Sequence, residues 1–193
     1  MKITLATSNP HKVEEINLIA KKYDIKFVLP DGDFDPVEDS DNFIGNATCK
    51  VLEAVKFGNT ELYLADDSGL CVDALDGAPG IYSARFLGHD TDYNYKNNYI
   101  LDKLKDVPED KRSARYACAV AAVWPDGREE VVTEYFEGRI GYEQKGNGGF
   151  GYDPIFFVPE YGKYAAELTP DQKNAMSHRG KALRAIKNIL LEK

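Results

Sequence analysis

Tyr116 to Trp124 is an unbroken apolar run, YACAVAAVW, followed by Pro125-Asp126-Gly127 and then by Glu130 to Phe136, where apolar and polar residues alternate. Apolar and alternating runs of this length are strand patterns, and a Pro-Asp-Gly tripeptide between them turns the chain back on itself. Together they predict two long strands joined as a hairpin. The apolar member would be buried inside the molecule or partly across a contact between two copies.

Elements that would flank a sheet lie before and after this hairpin. Lys2 to Ala6 reads as a short strand, Asn9 as a helix N-cap and Pro10 as the first helical residue. Val13, Ile16, Ile19 and Ala20 then recur at helical spacing, opposite Lys12, Glu14, Glu15 and Lys21. Lys26 to Leu29 and Leu62 to Ala65 read as further strands, with a helix over Asn46 to Lys56 between them. The acidic, proline-containing run Pro30 to Asp41 reads as a loop. Gly77 to Gly88 is rich in turn residues, while the tyrosines of Asp92 to Leu104 fit either alternate or helical spacing. Ile155 to Val158 reads as a strand, and Ala182, Leu183, Ala185, Ile186, Ile189 and Leu190 form the apolar face of a closing helix. Strands alternating with helices, then a hairpin, indicate an α/β fold with a mixed sheet.

At 193 residues with 43% apolar and 29% charged side chains, the chain fits one domain over residues 1–193 that buries roughly 70% of its unfolded surface. Its net charge of −8 repels a polyphosphate backbone, so no nucleic-acid partner is expected. Cys49, Cys71 and Cys118 are odd in number and far apart, which disfavours a disulfide framework or a zinc site. With no charged-then-apolar leader and no apolar run near membrane length, a cytoplasmic protein with no membrane partner is expected.

Four segments carry chemistry. Thr7-Ser8-Asn9-Pro10-His11-Lys12 places hydroxyls, backbone N–H groups and an ammonium at a helix N-terminus, which suits a phosphate; otherwise it is an ordinary capped helix with a solvated lysine. Asp66-Asp67-Ser68-Gly69 follows an apolar run, so two carboxylates are expected to emerge at a strand's carboxyl end, either as a plain turn or as ligands of a hard cation such as Mg²⁺. Glu38 in the acidic loop is available as a further acid. Gly146 to Gly151 formally contains G-x-G-x-x-G, but Tyr152-Asp153-Pro154 and the β-rich IFFV follow where a dinucleotide fingerprint needs a helix. These glycines either form a flexible loop or let backbone approach a flat ligand, with Phe150 and Tyr152 for stacking and Asp153 for polar contact. Ser177 to Lys181, with Lys173 upstream, clusters cations at a helix start, against the preference of the helix dipole. An anionic or carbonyl-rich ligand resolves that mismatch, as does pairing of Arg179 with an acid while His178 packs.

Taken in order, TSNPHKVEE, EDSDNFIGNATCKVLEA, ADDSGLCVDALDGAPGIYSARF, GNGGFGYDPIFFVP and AAELTPDQKNAMSHRGKAL closely resemble the inosine/xanthosine triphosphate pyrophosphatases. The likeness covers nearly the whole chain and departs modestly at Ser40, Asn42 and Gly45. It implies an elongated mixed β-sheet with flanking helices, two lobes around a central nucleotide cleft, and a homodimer. It implies that Thr7, Ser8, Asn9, Pro10, His11, Lys12 and Lys50 contact the triphosphate. Glu38 and Asp67, with Asp66 nearby, would hold Mg²⁺, Ser68 would touch substrate, and Asp67 would accept the proton. Phe150, Gly151, Tyr152, Asp153, Lys173, His178 and Arg179 match nucleoside and base contacts.

The implied activity is Mg²⁺-dependent hydrolysis of ITP, dITP and XTP to the nucleoside monophosphate and pyrophosphate, which clears deaminated purines from the nucleotide pool. A triphosphate beside these acids would meet repulsion of about 4 kcal/mol per close pair at an effective dielectric near 20, so a bridging cation is needed. A 6-oxo purine presents an acceptor where adenine presents an amino group, so backbone N–H groups, His178 or Arg179 would select for it. The rival readings are a pyrophosphatase for other modified nucleotides and a nucleotide-binding regulatory module without turnover.

Overall fold

The computed structural model describes residues 2–7, 9–21, 25–32, 34–57, 60 and 62–191, apart from the side chains of Pro10, His11, Ile19, Ile189, Leu190 and Leu191. Its elements are β1 (Lys2–Leu5), α1 (Pro10–Ala20), β2 (Lys26–Val28), α2 (Phe43–Ala54), β3 (Tyr63–Val72), α3 (Tyr93–Lys103), β4 (Ser113–Val123), β5 (Glu129–Ile140), β6 (Phe156–Val158), β7 (Lys163–Tyr164), α4 (Pro170–Met176) and α5 (His178–Leu191). The strands form one sheet in the order β2-β1-β3-β4-β5-β6-β7. β1 runs parallel to β2 and β3, whereas β6 is antiparallel to both β5 and β7, so the sheet is mixed, as expected. The chain divides into two compact units: Met1–Asp67, Cys118–Glu134 and His178–Lys193 make the first, and Ser68–Ala117 and Tyr135–Ser177 the second.

In the first unit the two-residue period of a strand decides which helix each side chain meets. Leu64 of β3 and Cys118, Val120 and Ala122 of β4 pack with Ile16 and Ala20 of α1 and with Ala182, Leu183 and Ile186 of α5. Tyr63 and Ala65 of β3, with Ala119, Ala121 and Val123 of β4, pack instead with Ala47, Val51 and Ala54 of α2. Helices therefore cover both faces, which explains the unbroken apolar run of β4. Each fully buried Ile, Leu or Val here adds about 1.5–3 kcal/mol of transfer free energy. The expected hairpin forms: Gly127 N donates to Trp124 O and Trp124 N to Arg128 O, both at 3.0 Å. Asn42 caps α2 by accepting from Gly45 N at 2.8 Å.

The second unit packs Leu70, Val72, Ile100, Leu104, Phe136, Ile155 and Phe156 into a separate core. The ambiguous tyrosine-rich segment is a helix because Asp92 caps it, accepting from Tyr95 N at 3.0 Å. Arg112, 1% exposed, is satisfied by the carbonyls of Leu104, Val107, Ile140 and Gly141. α4 begins with a reciprocal cap between Thr169 and Gln172.

One expectation fails. Asp66 to Gly69 is not a turn at a strand end, since β3 continues through it to Val72. Polar residues persist inside this strand because each carboxylate meets a cation. Gly69 persists because a Cβ there would lie 2.2 Å from Gly80 O and 2.6 Å from Ser83 Oγ.

Candidate functional site

Two acids, adjacent in sequence, sit on opposite faces of β3 because successive strand residues alternate. Thr4 and Leu5 of β1 lie opposite Tyr63 and Leu64, so β3 carries Asp66 and Asp67 just beyond the carboxyl end of its parallel neighbour. That is where open α/β sheets place ligands.

Asp66 faces α1 and α5. Its Oδ2 lies 3.2 Å from Lys12 Nζ and accepts from Arg179 Nε at 3.3 Å and Nη2 at 3.2 Å. Arg179 also pairs with Glu15. The carboxylate has no exposed surface. Burial alone would raise its pKa, but the charges of Lys12, Arg179 and Lys50 hold it well below the usual carboxylate range. Burial likewise works against the charge of Arg179, yet Glu15 and Asp66 keep it firmly protonated.

Asp67 faces α2. Its Oδ1 accepts from Lys50 Nζ at 2.8 Å and its Oδ2 from Asn46 Nδ2 at 3.2 Å. Lys50 Nζ also donates to Glu38 Oε1 at 2.8 Å, and Asn46 Oδ1 holds the acidic loop through Ser40 N at 3.1 Å. Asp67 is 6% exposed, and that burial pushes its pKa up, although Lys50 and Lys12 oppose the rise. Desolvation works against the Lys50 ammonium, but Asp67, Asp66 and Glu38 outweigh it and raise its pKa. The outcome is a buried carboxylate of raised proton affinity beside a firmly cationic lysine.

Glu38 and Asp67 thus converge on one cationic point. The expectation that Asp66 joins them around a metal ion does not hold at this geometry, since its carboxylate is turned to the other face and engaged by Lys12 and Arg179. Among the described residues, no group of three or more His, Cys, Asp or Glu side chains forms a metal cage. Thr7 and Asn9 stand at the start of α1, where Asn9 N donates to Thr7 Oγ1 at 3.1 Å. Ser8 and the side chains of Pro10 and His11 lie outside the described residues.

In the second unit the glycine loop is organised around Asp153, 2% exposed. Its Oδ2 accepts from Phe150 N at 2.9 Å and from Lys173 Nζ at 2.6 Å, and its Oδ1 accepts from Tyr116 Oη at 3.2 Å. Lys173 Nζ lies 5.0 Å from the Phe150 ring centroid. Gly149 has a φ of +69°, and a Cβ there would lie 2.1 Å from Asp153 Oδ2, so glycine is required. Tyr152 is buried and donates to Ser83 O at 2.7 Å, while Ser68 on β3 is half-buried. His178, the first residue of α5, and Arg179 are buried in the first unit.

Four partners were missed in the sequence: Glu15, Asn46, Ser83 and Tyr116. Helical spacing flags two of them, because Asn46 and Lys50 are four apart on α2, and Lys12 and Glu15 three apart on α1. No local signal flags Tyr116 or Ser83.

Residues 3–189 match the Ham1 family. The chain is 47% identical to a dITP/XTP pyrophosphatase of Desulforamulus reducens, covering 98% of this chain and 96% of that protein. It is 44% identical to one of Shigella flexneri, with 98% of each covered. It superposes on a HAM1 protein from Coxiella burnetii with a TM-score of 0.85, 36% identity and full coverage of both chains. A dITP/XTP pyrophosphatase from Mycobacterium abscessus gives a TM-score of 0.75 at 38% identity, also over both full chains. With the family match spanning nearly its whole length, the chain belongs to the Ham1 family.

Proposed function

We propose that this protein hydrolyses ITP, dITP and XTP to the nucleoside monophosphate and pyrophosphate, and so removes deaminated purines from the nucleotide pool. The kinship with proteins named dITP/XTP pyrophosphatases supports the substrate class. The observation that carries the chemistry is the buried Asp67, its pKa raised, held between Lys50 and Asn46. A carboxylate whose proton affinity is raised by burial is better suited to general-base work than a solvated one.

Glu38 Oε1 and Asp67 Oδ1 meet at the Lys50 ammonium, each at 2.8 Å. Two convergent carboxylates, with water and phosphate oxygens completing the shell, are the donor set that Mg²⁺ takes, so the residues fit the ion. When bound there, Mg²⁺ supplies charge neutralisation and polarisation of the phosphates. Lys12 and Lys50, with Thr7 to His11 at the start of α1, bind the triphosphate, and Ser68 contacts substrate. Asp67 orients a water and takes its proton as the oxygen attacks the α-phosphorus. The bond to the oxygen bridging to the β-phosphorus then breaks, and pyrophosphate leaves. Phe150 and Tyr152 provide aromatic surface for the purine, with Gly151 leaving room for the ligand. Asp153 and Lys173 provide polar contacts to the nucleoside, and backbone N–H groups, His178 or Arg179 donate to the 6-oxo oxygen.

The same reading includes a homodimer, tested by sedimentation, and a cytoplasmic setting, tested by cell fractionation. No helix among the described residues is long and apolar enough to cross a membrane. Mg²⁺-dependent release of pyrophosphate from a panel of triphosphates tests the activity. ITP and XTP are expected to be turned over far faster than ATP or GTP. Asp67→Asn is expected to lower turnover roughly 10²–10⁴-fold with the fold intact. A near-normal rate in that variant overturns the assignment of Asp67, and release of orthophosphate overturns the reaction.

A further inference from the structure

Two consecutive residues of α3, neither of them assigned above to catalysis or binding, are buried against the usual preferences of their side chains. Lys96 is 1% exposed and Asn97 2%. Buried ammonium groups are ordinarily paired with a carboxylate, yet among the described residues none forms an ion pair with Lys96. Burial lowers its pKa, and the charge of Asp92 opposes this only in part. Its Nζ instead donates to Ala84 O at 2.7 Å and lies 4.7 Å from the Tyr93 ring centroid. Asn97 Nδ2 donates to Gly151 O at 3.1 Å and to Gln144 Oε1 at 3.3 Å.

Both side chains thus end on loop carbonyls, and those carbonyls belong to segments that Tyr152 joins. Tyr152 Oη donates to Ser83 O at 2.7 Å, next to Ala84, while its ring meets Tyr93 edge-on at 5.2 Å. Gly151, with a φ of +69°, lies in van der Waals reach of α3, where a Cβ would sit 3.6 Å from the Tyr93 ring. The helix therefore grips backbone at both ends of Tyr152: Gly151, which precedes it and follows Phe150, and Ala84, which follows the serine whose carbonyl takes its hydroxyl. A charge kept in a buried position without a carboxylate partner marks a place where geometry matters more than stability.

We propose that Lys96 and Asn97 are positioning residues that set the backbone at Ala84 and Gly151, and through it the placement of Phe150 and Asp153 on which purine discrimination depends. The inference rests on the purine-reading role given above to Phe150–Asp153. Lys96→Met removes the charge and the donor at similar volume, Lys96→Arg restores a donor, and Asn97→Ala removes the other grip. Lys96→Met is expected to unfold at the same urea concentration as the wild type or a higher one. KM for ITP should nevertheless rise roughly ten-fold, the ITP-to-ATP ratio of kcat/KM should fall by a similar factor, and kcat should move by less than about three-fold. Lys96→Arg should recover most of that ratio, and Asn97→Ala should show the same split between KM and kcat. Unchanged discrimination, or an equal loss on ITP and ATP that tracks a lowered urea midpoint with Lys96→Arg no better than Lys96→Met, overturns the proposal.

Amide exchange provides a readout independent of turnover. At Arg85 and at Gly151–Asp153 it should accelerate roughly ten-fold in Lys96→Met and Asn97→Ala, while β4 stays protected. Unchanged exchange overturns the grip whatever the enzyme hydrolyses. Accelerated exchange in a protein whose wild type ignores ITP refutes the purine-triphosphate reading and leaves the grip standing.

Discussion

Asp66→Asn and Asp67→Asn, one position apart and chemically identical, should have opposite consequences. Asp66 has no exposed surface and receives Lys12 and Arg179 at 3.2–3.3 Å. An amide there leaves two cations facing a neutral group, and breaking a buried pair in this way costs about 3–5 kcal/mol. Arg179 keeps Glu15, which places the loss near the lower end, about 3 kcal/mol, or about 6–12 °C in Tm for a chain of this size. Asp67 differs because its raised pKa means that the folded chain stabilises its carboxylate less, relative to the neutral carboxyl, than the unfolded chain does. Lys50 keeps Glu38 at 2.8 Å, and an amide oxygen still accepts from it. Asp67→Asn should therefore stay within about 1 kcal/mol of the wild type or exceed it, while losing turnover. The pH dependence follows the same signs. The lowered pKa of Asp66 contributes stability that is present above the unfolded carboxyl's pKa and is lost as pH falls through the lowered folded value, so the gap between wild type and Asp66→Asn should hold from pH 7 to about 5 and narrow progressively below about 4. The raised pKa of Asp67 makes the wild type gain on Asp67→Asn as pH falls from neutral through that pKa. Urea unfolding read by Trp124, the chain's single tryptophan, and by circular dichroism measures both. Equal midpoints for the two variants, or a more stable Asp66→Asn, refute the division of roles between the two faces of β3.

Gly69→Ala would place a Cβ 2.2 Å from Gly80 O, in a segment held to β3 by Leu70 N donating to Ser83 Oγ at 2.9 Å. A loss of about 2–3 kcal/mol in urea unfolding is expected, and an unchanged midpoint would mean that the close approach does not exist. Asn42→Ala removes the cap of α2, the helix that carries Asn46 and Lys50. It should lower stability by about 1 kcal/mol with an unaltered urea slope, and no change would show that α2 does not depend on this cap.

What could be read in advance was what depends on near neighbours. The placement of Val13, Ile16 and Ala20 on one face of α1, the hairpin at Pro125-Asp126-Gly127 and the mixed α/β class follow from residue spacing and turn chemistry, and each is found. Thr169-Pro170-Asp171-Gln172 carries a complete local capping signature for α4. The stretch from Asp66 to Gly69 misled because its composition is that of a turn, whereas cations more than a dozen residues distant let it continue as strand. Lys12 and Arg179 were recognisable from the cation-bearing helix starts they occupy, and Lys50 through the resemblance alone. Nothing local could show that Arg179 faces Asp66, 113 positions away, or that Tyr116 reaches Asp153 across 37.

The alternation of β3 is what allows one short acidic stretch to hold two carboxylates in different states. Had Asp66 and Asp67 shared a face, each would have raised the other's proton affinity, and Lys12, Lys50 and Arg179 would have been divided between them. On opposite faces, Asp66 is fixed as an anion by Lys12 and Arg179, and the Lys12 ammonium reaches both its carboxylate and its backbone carbonyl. Asp67, with one lysine shared with Glu38, keeps the higher proton affinity. Pairs of titratable groups whose surroundings push their pKa values apart mark acid–base assignments in catalysis. Here that separation follows from the two-residue period of a strand, and it places the more basic carboxylate on the same side as Glu38.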